Sequence, residues 1–199
     1  YLEEGNLLPY LFSMAFKGEY LSLLFLKSQA TASYYFSLSS TNDLVFGMKF
    51  SAGYIGTLSG DKNTVPYVKE FFVGGSNSVR GWSSRAFPPQ KGIEGGLDEN
   101  SIPGGRILTE GSLELRKRFN DLLGMAVFAD WGNTWKEMSN VKISEVAVAA
   151  GFGFRFYTTI AAFRLDFGFK VYDPYDRTPI PQRRFFDLMQ FHFGIGEAF

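Results

Sequence analysis

The chain contains no cysteine. Disulfide frameworks, thiolate metal sites and cysteine nucleophiles are therefore excluded, and the redox compartment stays open. A single histidine, His192, rules out a multi-histidine metal centre. Twenty basic side chains balance twenty acidic ones. Zero net charge, with no basic run, leaves no electrostatic footprint for nucleic acid. No apolar run reaches the roughly 18–20 residues of a membrane-crossing helix. No secretory signal opens the chain, and Tyr1 in first place predicts a processed or truncated polypeptide.

Aromatic residues are abundant instead: 22 Phe, 10 Tyr and 3 Trp among 199 residues. Most of them alternate with small or polar residues, the two-residue period of strands. Seven stretches show it clearly: Gln29 to Ser39, Leu44 to Tyr54, Leu108 to Phe119, Leu123 to Gly132, Val146 to Tyr157, Ala161 to Val171 and Leu188 to Phe199. Tyr10 to Lys17 shows it weakly, and Glu19 to Leu26 reads as a loop or short helix. Along Val146 to Tyr157, for example, Val148, Phe152, Phe154 and Phe156 oppose Ala149, Gly151, Gly153 and Arg155. Each stretch spans about ten residues, the length that crosses a bilayer at a 45° tilt. Connections alternate between short (Ser40–Asp43, Asn120–Asp121, Thr158–Thr159) and long (Ser59–Gly105, Asn133–Glu145, Tyr172–Asp187). Short turns at one rim, long loops at the other and apolar outer faces predict an all-β, transmembrane antiparallel β-barrel in a bacterial outer membrane. Tyr54, Trp131, Tyr157, Tyr172 and Phe199 stand near strand ends, where aromatic girdles sit. A soluble antiparallel sandwich also alternates, but it does not require Phe-rich outer faces on nearly every strand.

The longest connection, residues 58–105, is too apolar to be disordered: it carries Phe71, Phe72, Val73, Val79, Trp82 and Phe87. Gly74, Gly75 and Gly81 permit tight backbone geometry, and Arg80 stands alone between Val79 and Gly81. Such a loop is expected to fold inward and place its guanidinium against a carboxylate. Glu114 and Asp130 lie on the polar faces of consecutive strands and line one patch of inner wall. Arg80 is expected to meet Asp130, Glu114 or both. The same charges also read as ordinary solvated wall groups, like Arg116, Arg155, Arg164 and Lys170, and the residues alone leave both readings open.

Val79-Arg80-Gly81-Trp82, preceded by FFVGGSNS, resembles the Val-Arg-Gly-aromatic loop signature of the BamA/TamA superfamily of outer-membrane insertases, the bacterial surface antigen family. Phe128-Ala129-Asp130-Trp131-Gly132 matches that family's Phe-x-Asp-x-Gly strand motif, and Gly111–Arg116 resembles the preceding strand with its lumenal Glu114. The run Gly151 to Pro174 and the ending FHFGIGEAF look like the closing strands. The likeness covers essentially Gln29 to Phe199, and GGSNSVRGW followed by FADWGNTW looks most like the TamA-like branch of Bacteroidetes. Trp82 departs from the Phe or Tyr that many members carry, though the aromatic role survives.

The resemblance implies that the chain, about eight strands, is the C-terminal half of a sixteen-stranded barrel preceded by periplasmic repeats. It implies a loop anchor at Val79, Arg80, Gly81 and Trp82, received by Glu114, Phe128, Asp130 and Gly132. It implies a lateral seam at the last strand, where Gly194 and Gly196 weaken packing and permit a bend. A close lumenal contact explains those glycines equally well. Phe191, Phe193 and Phe199 resemble the C-terminal signal of barrel substrates.

Expected partners are the lipid bilayer, client outer-membrane proteins or an exported polypeptide, and periplasmic or lipoprotein accessory subunits, with no nucleic acid, cofactor or metal. Alternatives are a polypeptide secretion pore of the same superfamily and a simple porin or structural barrel; the last leaves the VRGW loop unexplained. An enzyme is not expected, because His192 has no nucleophile motif beside it. Asp98-Glu99-Asn100 and Asp173-Pro174-Tyr175-Asp176 read as solvated loop tips before they read as calcium ligands.

Overall fold

A computed structural model describes residues 10–14, 23–59, 65–87, 104–176, 178 and 182–199. They form one antiparallel sheet of eight strands in sequence order. The strands are β1 (Tyr10–Met14), β2 (Leu23–Ser37), β3 (Leu44–Ser59), β4 (Ile107–Arg118), β5 (Leu123–Trp135), β6 (Ala147–Tyr157), β7 (Ala162–Tyr172) and β8 (Met189–Ile195). A single helical turn, α1 (Phe185–Leu188), precedes β8. The sheet is open: among the described residues β1 pairs only with β2, and β8 only with β7.

Alternation decides the two faces. On the outer face Phe50, Phe152, Phe154, Phe156, Phe191 and Phe193 are exposed, as a bilayer-facing wall requires. On the inner face Ser51, Ser112, Glu114, Asp130, Arg155, Arg164 and Asp166 are buried. What buries them is the connection between β3 and β4, which lies against the inner wall. Its described residues, 65–87 and 104–106, touch every strand from β2 to β8. Lys27 of β2 donates to the carbonyls of Lys69 (2.8 Å) and Glu70 (3.4 Å), and Lys49 of β3 to that of Asn77 (2.5 Å). An apolar core forms between loop and wall, where Val73, Val79, Trp82 and Phe87 pack with Phe25, Ile55, Leu108, Ala147 and Ala149.

At the short-turn rim, Asp43 closes the β2–β3 turn. A hydrogen bond from Lys117, aided by Ser39 and Thr41, holds its carboxyl well below the usual carboxylate range.

Several expectations are corrected. β2 and β3 are 15 and 16 residues long, well beyond ten. Leu23–Leu26, read as loop or helix, begins β2; Phe25 keeps the inner-face phase of Lys27 and Gln29 and enters the apolar core, and the register shift beside it leaves Leu58 of β3 unpaired. The rest of the Glu19 segment lies outside the described residues, as do Phe16 and Lys17 of the weak first strand and the acidic tip at Asp98–Asn100. Tyr157 and Phe199 do not join an outer girdle. The Tyr157 ring lies under Arg118 (4.7 Å) and its hydroxyl meets Glu197 (3.3 Å), while Phe199 stacks on Tyr35 of the inner wall (5.9 Å). The last strand ends at Ile195 rather than Phe199, because Gly196 takes a φ of +82° and turns the chain inward.

Face assignment makes a direct prediction. In the full-length protein in vesicles, Phe152→Arg on the outer face should lower stability by about 2–4 kcal/mol. Gln29→Glu on the inner face should leave it nearly unchanged. Urea unfolding followed by heat-modifiable gel mobility reads both.

Candidate functional site

The loop's tip is a narrow finger built by its glycines. Gly74 and Gly75 adopt φ of +103° and +105°, a region that L side chains rarely enter. Behind them Val73 and Phe87 exchange backbone hydrogen bonds of 3.3 Å, and Phe71 and Gly105 exchange bonds of 2.8 and 3.0 Å. Across the tip Gly75 N–H donates to the Trp82 carbonyl (2.9 Å) and Trp82 N–H to that of Val79 (3.2 Å). The turn thrusts Arg80 downward from the tip.

Arg80 is 1% exposed and all five of its guanidinium N–H groups have acceptors. Nε and Nη2 take Asp130 side-on, at 2.8 and 2.9 Å, and the Arg80 backbone N–H adds a third bond to Asp130 at 3.1 Å. Nη1 donates to Glu114 at 2.6 Å and to Asp166 at 3.4 Å. Nη2 also reaches the Ser112 hydroxyl at 3.3 Å, which itself donates to Asp130 at 2.6 Å. The guanidinium plane sits 3.3 Å over the centre of the Phe128 ring. A lysine offers neither the fork nor the stacking face.

The backbone of the tip needs equally close support. Small residues on three neighbouring strands form a floor beneath it. A Cβ on Gly168 of β7 would stand 2.0 Å from the Arg80 carbonyl oxygen, and one on Gly151 of β6 would stand 2.5 Å from the Phe128 ring. Gly132 of β5 lies against Val79, where a Cβ would come within 3.1 Å. Gly81 serves the same purpose from the loop side, since its own Cβ would meet that of Ala149 at 2.8 Å. The Arg80 carbonyl accepts from His192 Nε2 of β8 at 3.0 Å; a carbonyl only accepts, so this nitrogen carries the proton. Trp82 packs on Phe87 (4.9 Å), which packs on Tyr175 (5.4 Å).

Thus Val79, Arg80, Gly81, Trp82, Glu114, Phe128, Asp130 and Gly132 come together in one place. Of the two open readings of the wall charges, pairing describes Glu114 and Asp130, and the solvated picture fails for Arg155 and Arg164 as well, both buried. Sequence reasoning missed Asp166, Ser112, Gly168, Ala149 and His192. The signal for Asp166 was its place on the polar face of β7; what hid it was the absence of a motif around it. The residues expected at the seam divide. Phe191 and Phe193 face outward, exposed, with Phe193 stacked on Phe163 (6.2 Å). Gly194 is a close-contact glycine, with a Cβ position 2.4 Å from Arg164 Nε. Gly196 has nothing within 4 Å of its Cβ position and is needed only for its positive φ. Phe199 lies apart from the outer face. The acids of Asp173–Asp176 serve their own turn, Asp173 accepting from Tyr175 N–H (3.1 Å) and Asp176 pairing with Arg183 (3.2 Å). Among the described residues no acidic or histidine cluster has the arrangement of a metal site.

Removing Arg80 takes the ion-pair partner from buried Asp130, while Glu114 keeps Arg116 and Arg155 and Asp166 keeps Arg155; breaking a buried pair costs about 3–5 kcal/mol. Arg80→Ala should therefore detach the loop and leave the strands paired. Arg80→Lys, lacking the fork, should fall between the two. Limited proteolysis of the full-length protein in vesicles, scored for cuts within 65–87 against survival of the barrel band, checks both.

The fold matches that of BamA from Haemophilus ducreyi, crystallised without POTRA domains 1–3, with a TM-score of 0.63 and 20% sequence identity. The alignment covers 85% of this chain and 34% of that one, so the chain spans about a third of the solved protein. A model of the Omp85 superfamily domain matches residues 4–199. The long inner loop, its buried arginine and the strands that receive it therefore belong to a chain that is a member of the Omp85 superfamily.

Proposed function

We propose that this chain is the C-terminal part of an outer-membrane barrel that inserts or translocates other proteins, without covalent chemistry. The observation that carries the reading is the buried Arg80 cluster. It commits a long loop to the inside of the wall by a five-donor lock, which an open diffusion channel does not require. The weak edge of the sheet adds to it. β8 pairs with β7 over seven residues, Met189 to Ile195, whereas β4 and β5 pair over twelve, Ile107 to Arg118. A short edge strand with exposed Phe191, Phe193 and Ile195 suits a place where another strand joins.

In this reading the chain is about half of a sixteen-stranded barrel. The short turns face the periplasm and the long loops the outside. Arg80 anchors the loop, Glu114 and Asp130 receive it, Phe128 and Gly132 shape its bed, and β8 forms one side of a lateral seam. Client outer-membrane proteins are the substrates, with periplasmic or lipoprotein subunits as accessories. The motif wording GGSNSVRGW and FADWGNTW favours the TamA-like branch. A secretion pore of the same superfamily is the second reading, because the same lock would hold a loop aside in a pore for one exported polypeptide.

The test is complementation with full-length Asp130→Ala. The barrel should fold and reach the membrane, while steady-state levels of several outer-membrane proteins fall severalfold. A folded variant with normal levels of all clients overturns the insertion role. Loss of one secreted protein alone selects the pore.

A further inference from the structure

The four residues after β8 enter the same ionic cluster that holds the loop. Gly196 turns the chain inward, and Glu197 reaches the inner wall. Its carboxylate accepts from Arg155 Nε at 3.0 Å and from the Tyr157 hydroxyl at 3.3 Å, and it stands 3.6 Å from Arg116 Nε. Arg155 is fully buried and uses its other two nitrogens on the acids that bind Arg80. Nη1 donates to Asp166 at 2.6 Å, and Nη2 to Glu114 at 3.0 Å. Arg116 repeats the bridge: Nε donates to Glu114 at 2.8 Å, and Nη2 to the Phe199 carbonyl at 3.1 Å. The cluster is continuous from loop to tail: Arg80, then Glu114 and Asp166, then Arg155 and Arg116, then Glu197.

We propose that Glu197 is a positioning residue that couples the inward tail to the seat of the Arg80 loop, so that releasing either one loosens the other. Charge balance supplies the sign. Four carboxylates (Glu114, Asp130, Asp166, Glu197) face four guanidinium groups (Arg80, Arg116, Arg155, Arg164). Withdrawing Glu197 leaves an excess cation in a poorly solvated place, and it frees Arg155 and Arg116 to compete with Arg80 for Glu114 and Asp166. Withdrawing Arg80 leaves an excess anion, which disfavours Glu197, and lets those acids draw Arg155 away from the tail. Both effects have one direction, and coupling between sites is reciprocal. A second contact between the last strand and the loop, His192 to the Arg80 carbonyl, does not involve the tail.

The chain has no cysteine, so thiols introduced in it report without background once any cysteine elsewhere in the full-length protein is replaced by serine. Both measurements use the full-length protein in outer-membrane vesicles, with heat-modifiable mobility as the folding control. In the first, a thiol at the half-buried loop position Ser78→Cys, whose hydroxyl bonds Glu110 of the wall, is labelled with a maleimide. Glu197→Gln, nearly isosteric at a half-buried site, should raise the labelling rate about fivefold, and Glu197→Asp, which keeps the charge, should restore most of it. An unchanged rate in Glu197→Gln overturns the proposal. In the second, Tyr35→Cys with Phe199→Cys, whose rings stack at 5.9 Å, reports the inward tail by disulfide formation. Arg80→Ala, which removes the cation and leaves the strands paired, should slow that cross-link severalfold, and an unchanged cross-link also overturns it. Neither readout depends on clients, so a failure of the insertion role leaves this coupling standing or falling by itself.

Discussion

A guanidinium buried to 1% exposure has to be satisfied on every side, and that constraint organises the molecule around Arg80. Its five donors end on Asp130, Glu114, Asp166 and Ser112, contributed by β4, β5 and β7. An ion cluster of this kind is weak evidence for net stability, because desolvation offsets much of its attraction. What it supplies is direction. Only one placement of the loop satisfies all of the donors, and any displacement leaves buried charges without partners.

Other features follow from that placement. The arginine brings its backbone so close to the wall that β7 must carry glycine at position 168, and the facing position 81 must be glycine as well. The apolar flanks of the same loop, Val73, Val79, Trp82 and Phe87, then have a surface to pack on, formed by Phe25, Ile55, Leu108, Ala147 and Ala149. In an ordinary β-protein the inner face of a sheet is covered by a second sheet or a helix. Here the protein's own connection does this, polar at its tip and apolar behind it. The outer face is free to be apolar throughout because lipid covers it in the barrel this family builds.

Legibility followed the range of the physical signal. Alternation is local and strong, so both faces of β4 to β7 could be assigned from residues such as Phe152 against Arg155. It failed at Leu23–Leu26 because four successive apolar residues hide the two-residue period that β2 keeps there. It failed again after Ile195, where the positive φ of Gly196 bends the tail away and no side-chain pattern announces it. Asp166 and Arg155 were visible as lumenal charges, but nothing in their neighbourhood along the chain distinguishes them from Lys170. Their importance is a matter of which residues lie across two strands from them.

The residues alone left open whether Arg80 pairs with the acids of β4 and β5; what the sequence by itself determined is the class of structure, the two faces and the long inward loop. These rest on composition, on a period of two and on the cost of leaving apolar residues or a lone charge unsheltered, all of which act locally. Only the tertiary structure decided that a third acid joins the cluster, that Gly168 and Ala149 form the floor, and that Glu197 brings the tail into the same network. Those choices depend on strand order, register and backbone approach at ångström scale, and they bring together residues as far apart in the chain as Arg80, Asp166 and Glu197. Coulomb interactions act through space rather than along the chain, so folding alone puts such partners within reach of one another.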